Sequence, residues 1–334
     1  VVYNKKEYIM TMTFTSGLSF LGGFTFTPPP PPPPENTAAW FGGGDVGISS
    51  LVSTVDRITF ATDTATASVR GPLSAINRQG AAAGNSDYAW FGAGLAPSVP
   101  SGGKSTVDRI TYATDTATAS VRGPLSLARY KLAAVGNSDY GWFGGGFLFP
   151  GITYSRIDRI TYATDTATAS VRGPLSSARY NLAATGNTTD GWFGGGYDGS
   201  PRATVNRITY ATDTATASVR GPLSSAKTYL AAAGNDTDGW FGGGSPGPSS
   251  TVQRITYATD TATASVRGPL SASTRNLAAA GNSTDGWFGG GNVGFPSVSS
   301  TVQRITYATD TATASVRGPL SLARDLLAAA GGTQ

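Results

Sequence analysis

RITYATDTATASVRGPLS runs from Arg109 to Ser126 and returns unchanged at Arg159 to Ser176, Arg207 to Ser224, Arg254 to Ser271 and Arg304 to Ser321. A sixth copy, Arg57 to Ser74, reads RITF where the others read RITY. A second marker, WFGGG or its variant WFGAG, begins at Trp40, Trp90, Trp142, Trp192, Trp240 and Trp287, one for each copy of the first. From the Thr of the STV-type tripeptide to the following Trp the spacing is constant: Thr54 to Trp90, Thr106 to Trp142, Thr204 to Trp240 and Thr251 to Trp287 each span 36 positions. All variation in length therefore falls between WFGGG and the next such Thr.

Turn signals divide each repeat into four short segments, which in one copy read NLAATG, GWFGGG, TVNRITYA and TATASVRG, with GNTTDG, the variable stretch, ATDT and GPLS as breakers. Four strands joined by short turns at a period near 50 residues, repeated six times, predict radial blades, and closing the ring hides most sheet edges. The termini fit closure. The chain stops at LLAAAGGTQ, where Gln334 holds the place that Asp139 takes three residues before Trp142, and the first repeat starts near Thr37, three residues before Trp40. The expected fold is an all-β, six-bladed β-propeller over residues 37 to 334 with four antiparallel strands per blade, in which Leu327 to Gly331 pairs with the Trp40 strand. An open solenoid is the alternative and predicts no such pairing.

Composition agrees and narrows the function classes. Charged residues are 13% of the chain, with 45 Gly, and the net charge is +4. The positive residues are mostly Arg spread once or twice per repeat, which argues against a nucleic-acid surface. Cys and His are both absent, which removes disulfides and the usual zinc, copper and haem ligands, and no cofactor is expected. No apolar run reaches the roughly 18 residues of a membrane-spanning helix.

The repeats resemble the kelch family of β-propellers: ARYNLAATG from Ala178 to Gly186, WFGGGYDG from Trp192 to Gly199 and GPLSSA from Gly221 to Ala226 follow the order of that motif. The Trp that kelch repeats carry on the fourth strand is replaced by the small residues of ATASV. The phrase STVDRITYATDTATASVRGPLSLAR is also similar to repeat proteins encoded by marine bacteriophages, in particular viruses of cyanobacteria. That resemblance implies a place on a particle more than a reaction. Some kelch-type propellers are copper-radical oxidases that use His, Tyr and a cross-linked Cys, an activity that a chain without His and Cys does not inherit.

The motifs themselves read as structure. WFGGG is followed by no helix pattern and no Lys-Ser or Lys-Thr, so a phosphate loop is rejected in favour of close packing at Gly. The Ala-rich segment is expected along the narrow axis. Asp63, Asp115, Asp165, Asp213, Asp260 and Asp310 of ATDT read as turn residues, because acid-base catalysis needs two carboxylates close together in unlike environments. The residue before RIT is Asp56, Asp108, Asp158, Asn206, Gln253 or Gln303, a polar partner in which charge is dispensable. The Arg of SVRG is read as a blade-to-blade bond in preference to a ring of anion sites. Asn187, Asn235 and Asn282 open Asn-X-Thr triplets in one recurring turn; they are possible N-glycan acceptors, and as turn residues they need no glycan.

Function is expected where the copies differ. The stretches from Asp45, Leu95, Phe147, Tyr197, Ser245 and Asn292 all join the second strand to the third, so they fall on one face with the segments that follow GPLS. Phe147, Phe149, Tyr154, Tyr197 and Phe295 are expected to be exposed there, as flat surfaces for sugars or proteins, with neutral drift in tolerant loops as the alternative. The position three residues past GPLS (Asn77, Arg129, Arg179, Lys227, Thr274, Arg324) is expected to add to an asymmetric rim. Residues 1 to 36 read as an attachment arm: TMTFT and GFTFT alternate as strands do, with Phe14, Phe20, Phe24 and Phe26 as assembly contacts, before a spacer of seven prolines from Pro28 to Pro34. Lys5 and Lys6 resemble a secretion signal only faintly, and the true start is expected at Met10, Met12 or upstream of Val1. The combined expectation is a non-enzymatic structural or adhesive subunit in a virion or extracellular setting. It would join other appendage or virion subunits through its arm, or copies of itself as a homopolymer, and would present its loops to a host-surface glycan or protein. A self-assembling filament subunit and a carbohydrate-binding or carbohydrate-active propeller are the alternatives.

Overall fold

A computed structural model describes residues 37–47, 50–96 and 102–331. The chain divides into units Val1–Pro33 and Pro34–Gln334, and the expected arm with its four Phe residues lies outside the described residues. The second unit is a six-bladed propeller of six four-stranded antiparallel sheets. In one blade the order from the axis outward is Ala183–Gly186, Asp190–Gly194, Val205–Thr209 and Ser218–Arg220. The strands are shorter than their sequence segments. The third ends at Thr209, and Tyr210–Thr212 forms a single 3-10 turn.

The ring closes as expected. Ala328–Gly331 pairs with Ala38–Gly42 in the register Trp40 to Ala330 and Phe41 to Ala329, which matches Trp192 to Thr185 and Phe193 to Ala184 in an uninterrupted blade. No solenoid end is left. The innermost strands carry Ala-Ala-Gly or near equivalents, because six strands converging on one axis leave room only for small side chains. They line a channel end of about 100 Å³ in which Val135 and Thr185 are the bulkiest residues.

Period-two alternation on the second strand puts Trp on one face of a blade and Phe on the other. Each face meets the opposite face of a neighbour, so Trp90, Val107 and Ala83 of one blade pack on Phe143, Ile160 and Tyr162 of the next. Six such clusters complete the circle, and the seam is no exception, with Trp287 and Val302 against Phe41 and Ile58. The eighteen-residue repeat is mostly the machinery of this joint. The Tyr of RITY stacks on the Trp of the preceding blade, as in Trp90 on Tyr162 with ring centroids 3.7 Å apart. The one departure, RITF, puts Phe60 on Trp287 at 3.9 Å in the same geometry.

Three residues past that aromatic, the Asp of ATDT carries more than a turn. Asp165 Oδ2 accepts hydrogen bonds from Trp90 Nε1 at 2.9 Å and Arg109 Nη1 at 3.0 Å, and Arg122 of SVRG lies 3.5 Å away as an ion pair. The same triple contact recurs at the seam, where Asp63 meets Trp287, Arg304 and Arg317. These Asp residues do lie in the expected turn, but their carboxylates latch two blades together instead of bonding nearby backbone N–H groups, and the blade-to-blade role of the SVRG Arg is what the structure shows.

The Gly of SVRG is set by contact with the next blade. A Cβ at Gly173 would stand 1.8 Å from the carbonyl oxygen of Ala215, with Gly173 N–H bonded to Asp213 O at 2.8 Å. Gly173→Ala is therefore expected to destabilise the ring by about 3 kcal/mol, since backbone on both sides must move. A urea unfolding midpoint equal to that of the parent would contradict this packing.

Candidate functional site

The segments after GPLS and the segments after WFGGG meet on one face, and around the axis they build three concentric circles. The innermost circle is Gln79, Lys131, Asn181, Tyr229, Asn276 and Leu326. Each donates its backbone N–H to the carbonyl of the previous member, from Lys131 to Gln79 at 2.8 Å round to Gln79 to Leu326 at 2.8 Å, so six hydrogen bonds close on themselves. All six residues have positive φ, between 55° and 62°. Glycine would take this conformation without steric cost and Asn tolerates it, yet none of the six is Gly and four are neither. Their side chains are thus not chosen for backbone comfort.

The second circle is Arg78, Tyr130, Tyr180, Thr228, Arg275 and Asp325. Each forms a β-bridge to the third, respectively Leu95, Phe147, Tyr197, Ser245, Asn292 and Asp45. Eighteen positions around one axis therefore vary from blade to blade on a backbone that does not. The opposite face carries the near-identical GN(S/T/D)(D/T) and YATDT turns.

Two sectors of this face have distinct chemistry. On one side Tyr130, Phe147, Tyr180 and Tyr197 form an unbroken aromatic arc with centroid distances of 5.5, 5.0 and 5.5 Å. Lys131 Nζ lies 5.4, 5.4 and 5.2 Å from the centroids of the first three rings. Burial, reinforced by Arg78, lowers the Lys131 ammonium pKa, and burial raises those of the Tyr130 and Tyr180 phenols. On the other side Asp45 pairs with Arg78, and Asn276 Nδ2 donates to Asp325 Oδ2 at 3.0 Å. Burial, and then the nearby Asp45 charge, raise the Asp325 carboxyl pKa against the effect of that hydrogen bond. At the axis the inner circle and a collar of leucines enclose a mouth of about 110 Å³.

The five aromatic residues singled out from sequence do not form one patch. Phe149 and Phe295 stand at hairpin tips, 63% and 83% exposed. Phe147 and Tyr197 are half-buried members of the arc, and Tyr154 is half-buried in a separate groove beside Arg156 and Arg172, so full exposure is corrected for these three. Tyr130, Lys131, Tyr180 and Tyr229 were not picked out by sequence reasoning. The signal was present, since the two positions that follow Asn77, Arg129 and their equivalents vary as much as the loops do.

Those equivalents themselves are not rim residues. Arg129, Arg179 and Arg324 are fully buried. Arg129 Nη1 donates to Asp158 at 2.8 Å and Arg324 lies 3.1 Å from Asp56, while Arg179 Nη1 donates to Asn206 Oδ1 at 2.8 Å. The pairing is confined to the three Arg copies: Asn77 Nδ2 donates instead to the Ala93 carbonyl at 2.9 Å and Lys227 Nζ lies 2.9 Å from Ser249 Oγ. Where Asn206 offers no charge, burial pushes the Arg179 pKa down to about 10.

Asn187 and Asn235 make the expected turn with Oδ1 accepting from N–H groups two and three residues on. Their Nδ2 atoms, where an N-glycan would attach, donate to Asp236 and Ser283 carbonyls of the next blade at 3.3 Å each. Asn282 makes the same Oδ1 turn. Among the described residues no three His, Cys, Asp or Glu side chains group as a metal site, and no helix is long and apolar enough to cross a membrane. No protein-family model matches the chain, and no curated protein matches it.

Proposed function

We propose that the protein is a non-enzymatic structural and adhesive subunit of an extracellular appendage, best read as a virion fibre or decoration component, whose ring presents its varied face to a host-surface glycan or protein. The observation that carries this reading is the segregation of difference. Trp, Asp and Arg recur without change where blades meet, and Tyr with the single exception of Phe60, while eighteen positions around one axial mouth are free to vary and do so. Packing alone asks for no such asymmetry. The strained inner circle supports the same reading, because unfavourable backbone geometry kept at one place in a fold points to function there. Each ATDT carboxylate is engaged by a Trp and two Arg side chains, which supports a binding role over acid-base chemistry.

Residues 1 to 36 act as the anchor in this scheme. All six sheets lie within Ala38–Gly331, so removing the arm is expected to leave the urea midpoint unchanged while abolishing incorporation into the native assembly. Incorporation at the parental level would remove the arm from the scheme. The deciding measurement is immunogold electron microscopy of native material with antibody to the ring. Decoration of a particle or fibre is expected, and label confined to the cell interior would end the proposal.

A further inference from the structure

Two of the connections on the varied face, Phe147–Leu148 with Ile152–Thr153 and Asn292–Gly294 with Ser297–Val298, form two-stranded sheets of their own, alone in this among the described residues. Each carries a Phe-Pro pair at its tip, where Phe149 is 63% and Phe295 83% exposed. A Cβ at Gly151 or Gly294 would meet nothing within 4 Å, so both tips stand clear of the ring. They belong to the third and sixth blades and therefore lie on opposite sides of the axis. Apart from one Val on the outer strand of each blade, the exposed large apolar residues among the described ones are Ile76, Phe149, Ile152, Val293, Phe295 and Leu322, and all belong to the segments of this face. Charge divides the same way. On the varied face Arg78 and Arg202 pair with Asp45 and Asp198, while Lys104, Lys131, Arg156 and Arg275 form no ion pair among the described residues. Lys131 Nζ lies 5.4 Å from the Phe147 ring at the base of one hairpin, and Arg275 bridges Asn292 at the base of the other. The described turns of the opposite face hold no Lys or Arg, and they expose Asp87, Asp139 and Asp236.

We propose that the varied face seats on an anionic lipid surface, with Phe149 and Phe295 entering the interface on opposite sides of the axis and the unpaired cations meeting the head groups. An apolar tip with a cation set back from it matches the layering of such a surface, in which acyl chains lie beneath acidic head groups. A second copy of the chain fits less well. Two varied faces would oppose like charges, and the uniform face exposes no large apolar side chain among its described residues to pack against the tips. A rigid protein partner would need two apolar pockets held apart by the width of the ring, whereas a fluid surface accepts both tips at any spacing and so engages them together.

This proposal rests on the reading of the varied face as the binding face and adds lipid to the partners that face would meet. Flotation of the full chain with phosphatidylcholine vesicles containing about 30% phosphatidylglycerol tests it. Binding is expected, and it is expected to be weaker by about tenfold or more on phosphatidylcholine alone. Phe149→Ser and Phe295→Ser should each weaken it about tenfold, and the double variant about a hundredfold, while the melting temperature holds because both side chains stand outside the packed ring. Phe295→Trp is expected to shift its emission to the blue when vesicles are added, against a parent whose six indoles are already buried. Equal binding to the two kinds of vesicle, parental binding by the double variant, or an unshifted Phe295→Trp spectrum would each overturn the lipid contact. Flotation with neither vesicle would do the same and would leave a protein or glycan as the partner of the tips. Each of these failures would leave immunogold decoration of a particle intact, so failure here is distinguishable from failure of the adhesive role.

Discussion

Deleting residues 328 to 334 is expected to lower stability by roughly 5 kcal/mol and to replace a single unfolding transition with a broad one. Four residues of this closing strand pair with Ala39 to Gly42. Their loss forfeits several backbone hydrogen bonds at about 1 kcal/mol each, together with the burial of Ala330 against its neighbours. It also bares the edge of a strand that carries Trp40 and Phe41, an exposed pairing template. A ring that must close differs from a stack that ends: once the seam opens, every remaining joint is free to separate in turn. Circular dichroism in urea, with size-exclusion chromatography to report association, checks the outcome. A truncated chain with parental midpoint and cooperativity would mean that the seam contributes nothing, and addition of a peptide spanning Leu327 to Gly331 is expected to restore the sharp transition.

The second large effect belongs to the latch. Asp165→Ala removes one buried carboxylate and strands a buried indole N–H and two guanidinium groups. Breaking a buried pair by deleting one partner costs about 3 to 5 kcal/mol, and the low end applies because Arg109 and Arg122 remain about one-fifth exposed to water. The expected loss is about 3 kcal/mol. Asp165→Asn retains an acceptor for Trp90 and is expected to lose about half as much. Asp63→Ala at the seam is expected to match Asp165→Ala, since its three partners and their distances are nearly the same. A seam variant of markedly smaller effect in the urea midpoint would show that the joint between first and last blades is made differently from the other five.

Much of this was legible in the repeats. Six copies of two markers at constant spacing fix the number of blades, and the match between LLAAAGGTQ and the missing lead-in of the first repeat locates the seam. What the repeats do not disclose is which partner each invariant residue meets. Asp165 lies 75 positions from Trp90, across a blade boundary, and a turn former and a latch look alike within ATDT. Arg129 and its equivalents mislead in the opposite direction. Variation suggests a solvent-facing rim, yet Arg129 is buried and donates to Asp158.

The sequence by itself determined the period, the blade count, the closure and the existence of one varied face, because these depend on local alternation, turn chemistry and the direction of successive strands. Only the tertiary structure decided which varied residues stand together. Tyr130, Phe147, Tyr180 and Tyr197 stand side by side, and Gln79, Lys131, Asn181, Tyr229, Asn276 and Leu326 form one circle, because the chain is bent into a ring with the inner backbone N–H of each blade donating to its neighbour. The proximity of side chains from separate repeats is a property of that curvature, and no stretch of a single repeat encodes it.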